Sequence, residues 1–150
     1  MKHLVAAILF LLLAKVSAEA QILTPVKWTY GAKKIGNNQA LILVRATIEA
    51  PWHIYSLNLA EGGPVKTTIS LSGSPEYRIV GAATEPAPLK KFEKMFGMEV
   101  KYFEKSVVFQ QKIELKAKGS VIVKGKLEFM ACNDEKCLLP EEIEFSLAVK

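Results

Sequence analysis

Residues 121–149 read VIVKGKLEFMACNDEKCLLPEEIEFSLAV. Val121 to Ala131 is a long extended run with Val121, Val123 and Leu127 recurring on one side. Glu142 to Val149 alternates again, with Ile143, Phe145 and Leu147 set against Glu144 and Ser146. A period of two is the signature of a half-buried strand, because successive side chains point to opposite faces. Cys132 to Cys137 brackets a tight turn between the two runs, and strands joined by so short a connection are antiparallel.

Working outward, the rest of the chain carries the same signal. Val26 to Tyr30 is rich in aromatic and β-branched residues, and Gly36-Asn37-Asn38 marks a turn. Ala40 to Ala50 is a long strand ended by Pro51, and Trp52 to Leu57 is a further aromatic, extended stretch. Turn signals at 61–64 and 72–75 flank a strand at Lys66 to Ser72, with Ile69 and Leu71 on one face. A short strand follows at Tyr77 to Ala82, and another at Phe103 to Leu115 turns at Lys118-Gly119-Ser120. Pro86 and Pro88 push the residues before them into extended geometry. Ala83 to Lys101 therefore reads as a long irregular connection with one helical turn near Phe92. About eight short strands with turn signals every 8–12 residues or so indicate an all-β antiparallel sandwich. The expected core is Leu41, Leu43, Val44, Ile69, Val121, Val123, Leu127, Ile143 and Phe145.

The first 18 residues do not belong to that domain. Lys2 and His3 precede an apolar run from Leu4 to Ala14, and Val16-Ser17-Ala18 offers small residues for cleavage. This is the pattern of a secretory signal. The rival is a transmembrane anchor, but the run falls short of the roughly 20 residues that span a bilayer. Cleavage is expected after Ala18, with Ala20 the alternative, leaving a domain at 19–150 without a lipid-accepting cysteine. The signal holds two of the 20 Lys and Arg residues (Lys2 and Lys15), which leaves 18 against 15 Asp and Glu. These bases are scattered among acids instead of being gathered on one element, the pattern of a solvated surface and not of a nucleic-acid binder. The mature chain is expected to be a monomer without a transmembrane segment.

Cys132 and Cys137 are the only cysteines. Opposed residues in a non-hydrogen-bonded antiparallel pair have Cα atoms about 4.5 Å apart, within the range disulfides need. An exported location favours the bond. A bond that closes so short a loop removes little unfolded-state entropy, so it is a poor staple. A short exposed loop suits a bond that is broken and remade. The two alternatives are a structural disulfide and a metal site. The second is a poor match, because two cysteines and His53 do not make a four-ligand zinc set.

The stretch from Phe129 to Glu142, with its strand, paired cysteines, short acidic loop, proline and glutamates, resembles the amino-terminal periplasmic domain of the thiol:disulfide interchange protein DsbD. Pro51-Trp52-His53-Ile54-Tyr55 and Gly62-Gly63-Pro64-Val65 resemble the aromatic strand and following turn of that family. The likeness runs through nearly the whole mature chain, and the cysteine hairpin is its most specific part. It implies an immunoglobulin-like sandwich. It also implies a thiol:disulfide oxidoreductase of the protein-disulfide reductase type, in which Cys132 and Cys137 take electrons from a membrane-embedded or thioredoxin-like protein and pass them to envelope proteins in the periplasm. Exchange is implied at the second cysteine, Cys137. A cap loop is implied over the pair, and Met95-Phe96-Gly97 stands where it would lie, in a segment made unusually basic by Lys90, Lys91 and Lys94. The family's full-length transporter continues into a membrane segment and a thioredoxin-like domain. This chain stops at Lys150, so it is expected to work as a free domain with separately encoded partners, or to have drifted to another role.

No cofactor and no metal are required, because the cysteines carry the electrons. Tyr55 reads as a core residue, and lines the cysteine site if the likeness holds. Glu93 reads as a proton relay or as a solvated loop acid. His53 reads as a proton donor or as a partly solvated strand residue. Asp134 and Glu135 oppose thiolate formation by charge, and Lys136 favours it at Cys137. The competing reading of the whole is an exported immunoglobulin-like binding or assembly module with a static hairpin disulfide.

Overall fold

In a computed structural model of the protein, residues 22–150 are described, and they form strands and turns without a helix. The signal segment and its cleavage site lie outside the described residues. The first sheet has the order β1-β2-β8-β5, from β1 (Val26–Lys34), β2 (Gln39–Ile48), β8 (Ser106–Leu115) and β5 (Tyr77–Thr84). The second has the order β11-β9-β4, from β11 (Glu141–Val149), β9 (Val121–Phe129) and β4 (Thr68–Leu71). All pairs are antiparallel. These two sheets face one another as an immunoglobulin-like sandwich.

Alternation places the core. On β2, Ala40, Ile42, Val44, Ala46 and Ile48 are buried. On β8, Val107, Phe109 and Ile113 are buried, and on β9, Val121, Val123, Leu127 and Phe129. Aromatic contacts cross the interface: Tyr30 stacks on Phe145 with ring centroids 4.5 Å apart, and Trp28 meets Phe129 edge-on at 5.1 Å. Fully burying an aliphatic or aromatic side chain contributes about 1.5–3 kcal/mol, so this layer dominates stability. Leu41 and Leu43 are not core residues. They lie half-buried on the other face of β2, opposite Lys112 and Gln110 of β8, because a period of two assigns the inner face to the even-numbered positions.

The segment 83–101 is more regular than its prolines suggest. β5 runs on to Thr84, and a hairpin follows in place of a long connection and a helical turn. Its strands are β6 (Leu89–Glu93) and β7 (Met98–Phe103). Phe92 is a strand residue, and the chain reverses over residues 94–97. Backbone N–H groups of Phe96 and Gly97 both donate to the Glu93 carbonyl, at 3.2 and 2.8 Å. Gly97 completes the reversal at φ 65°, which glycine adopts without steric cost. The single strand expected at 103–115 is divided by Glu104 and Lys105 into β7 and β8.

A third sheet has the order β10-β3-β7-β6, adding β3 (His53–Tyr55) and β10 (Ala131–Cys132). Its register fixes two faces. Ala131 pairs with Ile54, and Ile54 with Phe103, and these three join the main core. The opposite face carries Cys132 against His53, Tyr55 against Tyr102, Val100 against Lys91, and Met98 against Glu93. The sandwich thus anchors one side of a small sheet whose other side holds the cysteines.

Candidate redox site

Cys132 and Cys137 are bonded, with Sγ atoms 1.99 Å and Cα atoms 4.0 Å apart. They form an isolated antiparallel bridge, flanked by Asn133 N–H donating to the Lys136 carbonyl and Leu138 N–H donating to the Ala131 carbonyl, both at 2.9 Å. Bonds one residue outside the pair define a non-hydrogen-bonded pair, the closer of the two antiparallel spacings. Asn133 shapes the loop. Its Oδ1 accepts from the N–H groups of Glu135 (2.9 Å) and Lys136 (2.8 Å), the local bonding that favours asparagine at the start of a turn.

The two sulfurs stand in different surroundings. Cys132 is 1 % exposed and packs with Tyr55 and Val100, around which Leu59, Met98, Tyr102, Met130 and Cys137 gather. Cys137 is half-buried, and Met95 at the β6–β7 tip brings its Sδ to 3.6 Å from Cys137 Sγ. Phe96 is half-buried beside it, and Phe92 faces outward at 66 % exposure.

Polar groups are buried behind the pair. His53 is 2 % exposed, not partly solvated, because Cys132, Tyr55 and Tyr102 surround it. Its Nε2 is 3.2 Å from the Tyr55 hydroxyl. Burial is the main cause that brings its pKa down from 6.5 to about 4, and the nearby Lys91 ammonium acts in the same direction. The ring is therefore neutral at neutral pH and supplies no positive charge to a thiolate. The Tyr55 hydroxyl is pushed up by burial, then by the Glu93 carboxylate, and stays protonated. Glu93 is buried, not a solvated loop acid. Its Oε2 lies 3.1 Å from Lys91 Nζ, an ion pair, and 3.7 Å from Nε2 of the neutral His53 ring, and neither contact is a hydrogen bond.

Lys91 ties these groups together. Its ammonium reaches Asp134 Oδ1 of the cysteine loop at 3.6 Å and lies 5.0 Å above the Tyr102 ring, a cation–π distance. Asp134 is otherwise exposed, and the Lys136 side chain points to solvent. Among the described residues no three His, Cys, Asp or Glu side chains converge to hold a metal ion.

Of the residues singled out in the sequence, Cys132, Cys137, Tyr55, Glu93 and Met95 come together on or over one sheet face. Phe96 shares the β6–β7 turn with Met95. Sequence reasoning gave no place in the site to Lys91, Tyr102, Val100 or Asn133. Met98, Val100 and Tyr102 recur at every second position, the one signal by which β7 was open to detection.

Known proteins agree with this fold. A family model for the thiol:disulfide interchange protein DsbD, N-terminal, matches residues 19–148. The N-terminal domain of DsbD from Neisseria meningitidis in its reduced form is 15% identical, with a TM-score of 0.56 over 81% of this chain and 85% of that one. The N-terminal periplasmic domain of ScsB from Proteus mirabilis is 20% identical, with a TM-score of 0.57 over 85% of this chain and 49% of that one. A complex between the DsbD and PilB N-terminal domains from Neisseria meningitidis gives 13% identity and a TM-score of 0.56, over 84% and 87% of the two chains. No curated protein matches the chain in sequence. At these identities the structures speak for the fold, while the family model spans nearly the whole described chain and includes both cysteines: the protein belongs to the DsbD N-terminal domain family, whose members relay reducing equivalents by thiol–disulfide interchange.

Proposed function

We propose that the domain relays electrons through the Cys132–Cys137 pair and that Cys137 is the sulfur its partners reach. The observation that carries this is the difference in burial: Cys132 is sealed at 1 % exposure, while Cys137 is half-buried beneath one thioether. Access decides which sulfur of a disulfide is attacked. A donor's thiolate attacks Cys137 Sγ, the Cys132–Cys137 bond breaks, and Cys132 departs as the thiolate. The donor's second thiolate then attacks its own sulfur in the mixed disulfide and releases Cys137. The domain is left as a dithiol, and the donor as a disulfide. Toward an acceptor the steps reverse. Cys137 attacks the acceptor's disulfide, and Cys132 then attacks Cys137 and frees the acceptor as a dithiol. Two electrons move in each half.

The partners that fit are thioredoxin-like proteins and a membrane-embedded thiol:disulfide protein, met by a monomeric domain in the periplasm after a signal is cleaved behind Ala18. Periplasmic placement agrees with the ScsB relative, and the DsbD–PilB complex agrees with docking on another folded domain. Lys91, Glu93, His53 and Tyr55 set the polarity behind Cys132, and Met95 with Phe96 forms the cap. The reduction potential tests the reading against a static disulfide. A working pair lies above about −300 mV, and a potential below it assigns the domain to a binding or assembly module.

A further inference from the structure

The described residues hold three methionines: Met95 meets the disulfide at Cys137, and Met98 and Met130 pack against the cluster that contains Cys132. Two are half-buried in the cluster around Cys132. Met95 is 49 % exposed, so its thioether meets solvent on one side and Cys137 on the other.

We propose that Met95 is an oxidation site, and that its sulfoxide uncovers Cys137 and speeds electron entry into the domain. This rests on the reading of Met95 as the cap over the exchanging sulfur. The oxidant is a two-electron oxygen donor such as hydrogen peroxide. The Met95 sulfur gains one oxygen and loses two electrons, and the peroxide is reduced to water. Cys132 and Cys137 take no part, because their sulfurs are already joined.

The consequence follows from what each side of Met95 offers. A thioether is apolar and polarizable and rests well against another sulfur. A sulfoxide is polar and carries a strong acceptor oxygen. The disulfide has no hydrogen to donate to it, whereas water on the exposed side does, so the oxidised side chain turns outward. The backbone of the tip is held by the two bonds to the Glu93 carbonyl and by the Gly97 turn, so only the side chain leaves. In the reduced pair, the Cys137 thiol is a donor and can retain the sulfoxide. Opening is thus confined to the oxidised domain, the form that must accept electrons.

The test treats the disulfide form of the whole mature domain with hydrogen peroxide, locates the added oxygen by peptide mass, and times reduction of the disulfide by dithiothreitol. Met95 is expected to gain oxygen before Met98 and Met130, reduction to accelerate several-fold, and methionine sulfoxide reductases to restore the slow rate. Met95→Leu, measured against itself before and after peroxide, is expected to show no acceleration. Oxygen entering Met98 or Met130 first, or an unchanged rate once Met95 is oxidised, overturns the proposal. Met95→Ala without peroxide separates it from the reading beneath. If Met95→Ala reduces no faster than wild type, the cap itself is wrong. If it does and the sulfoxide does not, the cap stands and only the oxidation switch fails.

Discussion

Cys132 lies directly across the strand pair from His53, on the face of the third sheet turned away from the main core, while its bonded partner Cys137 lies under Met95. One disulfide therefore joins a sealed sulfur to a reachable one, and most of the expected behaviour of the domain follows from that asymmetry.

The cap is the first consequence. Met95 touches Cys137 Sγ, whereas Phe96 is its neighbour in the turn. After reduction, alkylation of Cys137 by iodoacetamide is expected to quicken several-fold in Met95→Ala and less in Phe96→Ala. Equal rates in wild type and both variants would remove the cap and leave the exchange chemistry in place.

The disulfide contributes little to folding. It spans a sequence separation of 5, for which the loop-entropy relation gives about 2 kcal/mol. Replacing both cysteines by alanine is expected to lower unfolding free energy by about that amount and leave the domain folded at room temperature. Serine costs more at position 132, because a hydroxyl buried beside Val100 without a partner loses a further 1–3 kcal/mol or so. Denaturant titration of the alanine and serine variants measures both quantities.

His53 couples stability to pH. Its folded-state pKa of about 4 lies below the unfolded value of 6.5, so the unfolded chain binds the extra proton between them. The contribution is complete above about pH 6.5 and is lost as pH falls towards 4. It is worth on the order of 3 kcal/mol, because each tenfold weakening of proton binding corresponds to about 1.4 kcal/mol. His53→Gln is expected to flatten the stability profile from pH 7 to pH 4, read by thermal unfolding at each pH. A parallel fall in variant and wild type would assign the dependence to other groups.

The strands that face the main core were legible in the sequence, and the strand that frames the site was not. β9 and β11 alternate cleanly because each has one apolar face and one wet face. β6 inverts that pattern: Lys91 and Glu93 face inward and Phe92 faces solvent, so a reading that sends apolar residues inward finds no strand there. Pro86 and Pro88 just before it strengthened the impression of a loop. The opposition of Cys132 and Cys137 was legible because it depends on a four-residue turn alone. The burial of His53 was not, because the residues that enclose it, Tyr102, Glu93 and Cys132, come from three other strands. Leu41 and Leu43 were misplaced by parity, since β2 has apolar residues on both faces and its inner register is set by pairing with β8.

Gly125 marks where the second sheet is tightest. A Cβ there would stand 2.7 Å from the Phe145 ring and 2.8 Å from the Ser70 carbonyl oxygen, and the backbone oxygen has no rotamer by which to withdraw. Gly125→Ala is expected to destabilise the domain by about 1–3 kcal/mol, the usual cost of overpacking, while leaving the reduction potential unchanged. Chemical denaturation and a redox titration of the same variant check the two halves.

Attack by partners on Cys137, with Cys132 as the resolving thiol, is decided by trapping. A thioredoxin-like protein lacking its resolving cysteine, its remaining sulfur activated as the mixed disulfide with thionitrobenzoate, is mixed with reduced Cys132→Ser and Cys137→Ser variants of the mature domain; the variant's thiolate displaces thionitrobenzoate, and the disulfide-linked adducts are counted on a non-reducing gel. An adduct is expected with Cys132→Ser, whose reachable sulfur is intact, and none with Cys137→Ser. An adduct with Cys137→Ser alone would contradict this by reversing the roles of the two sulfurs, and adducts with neither variant would reduce the pair to a static disulfide.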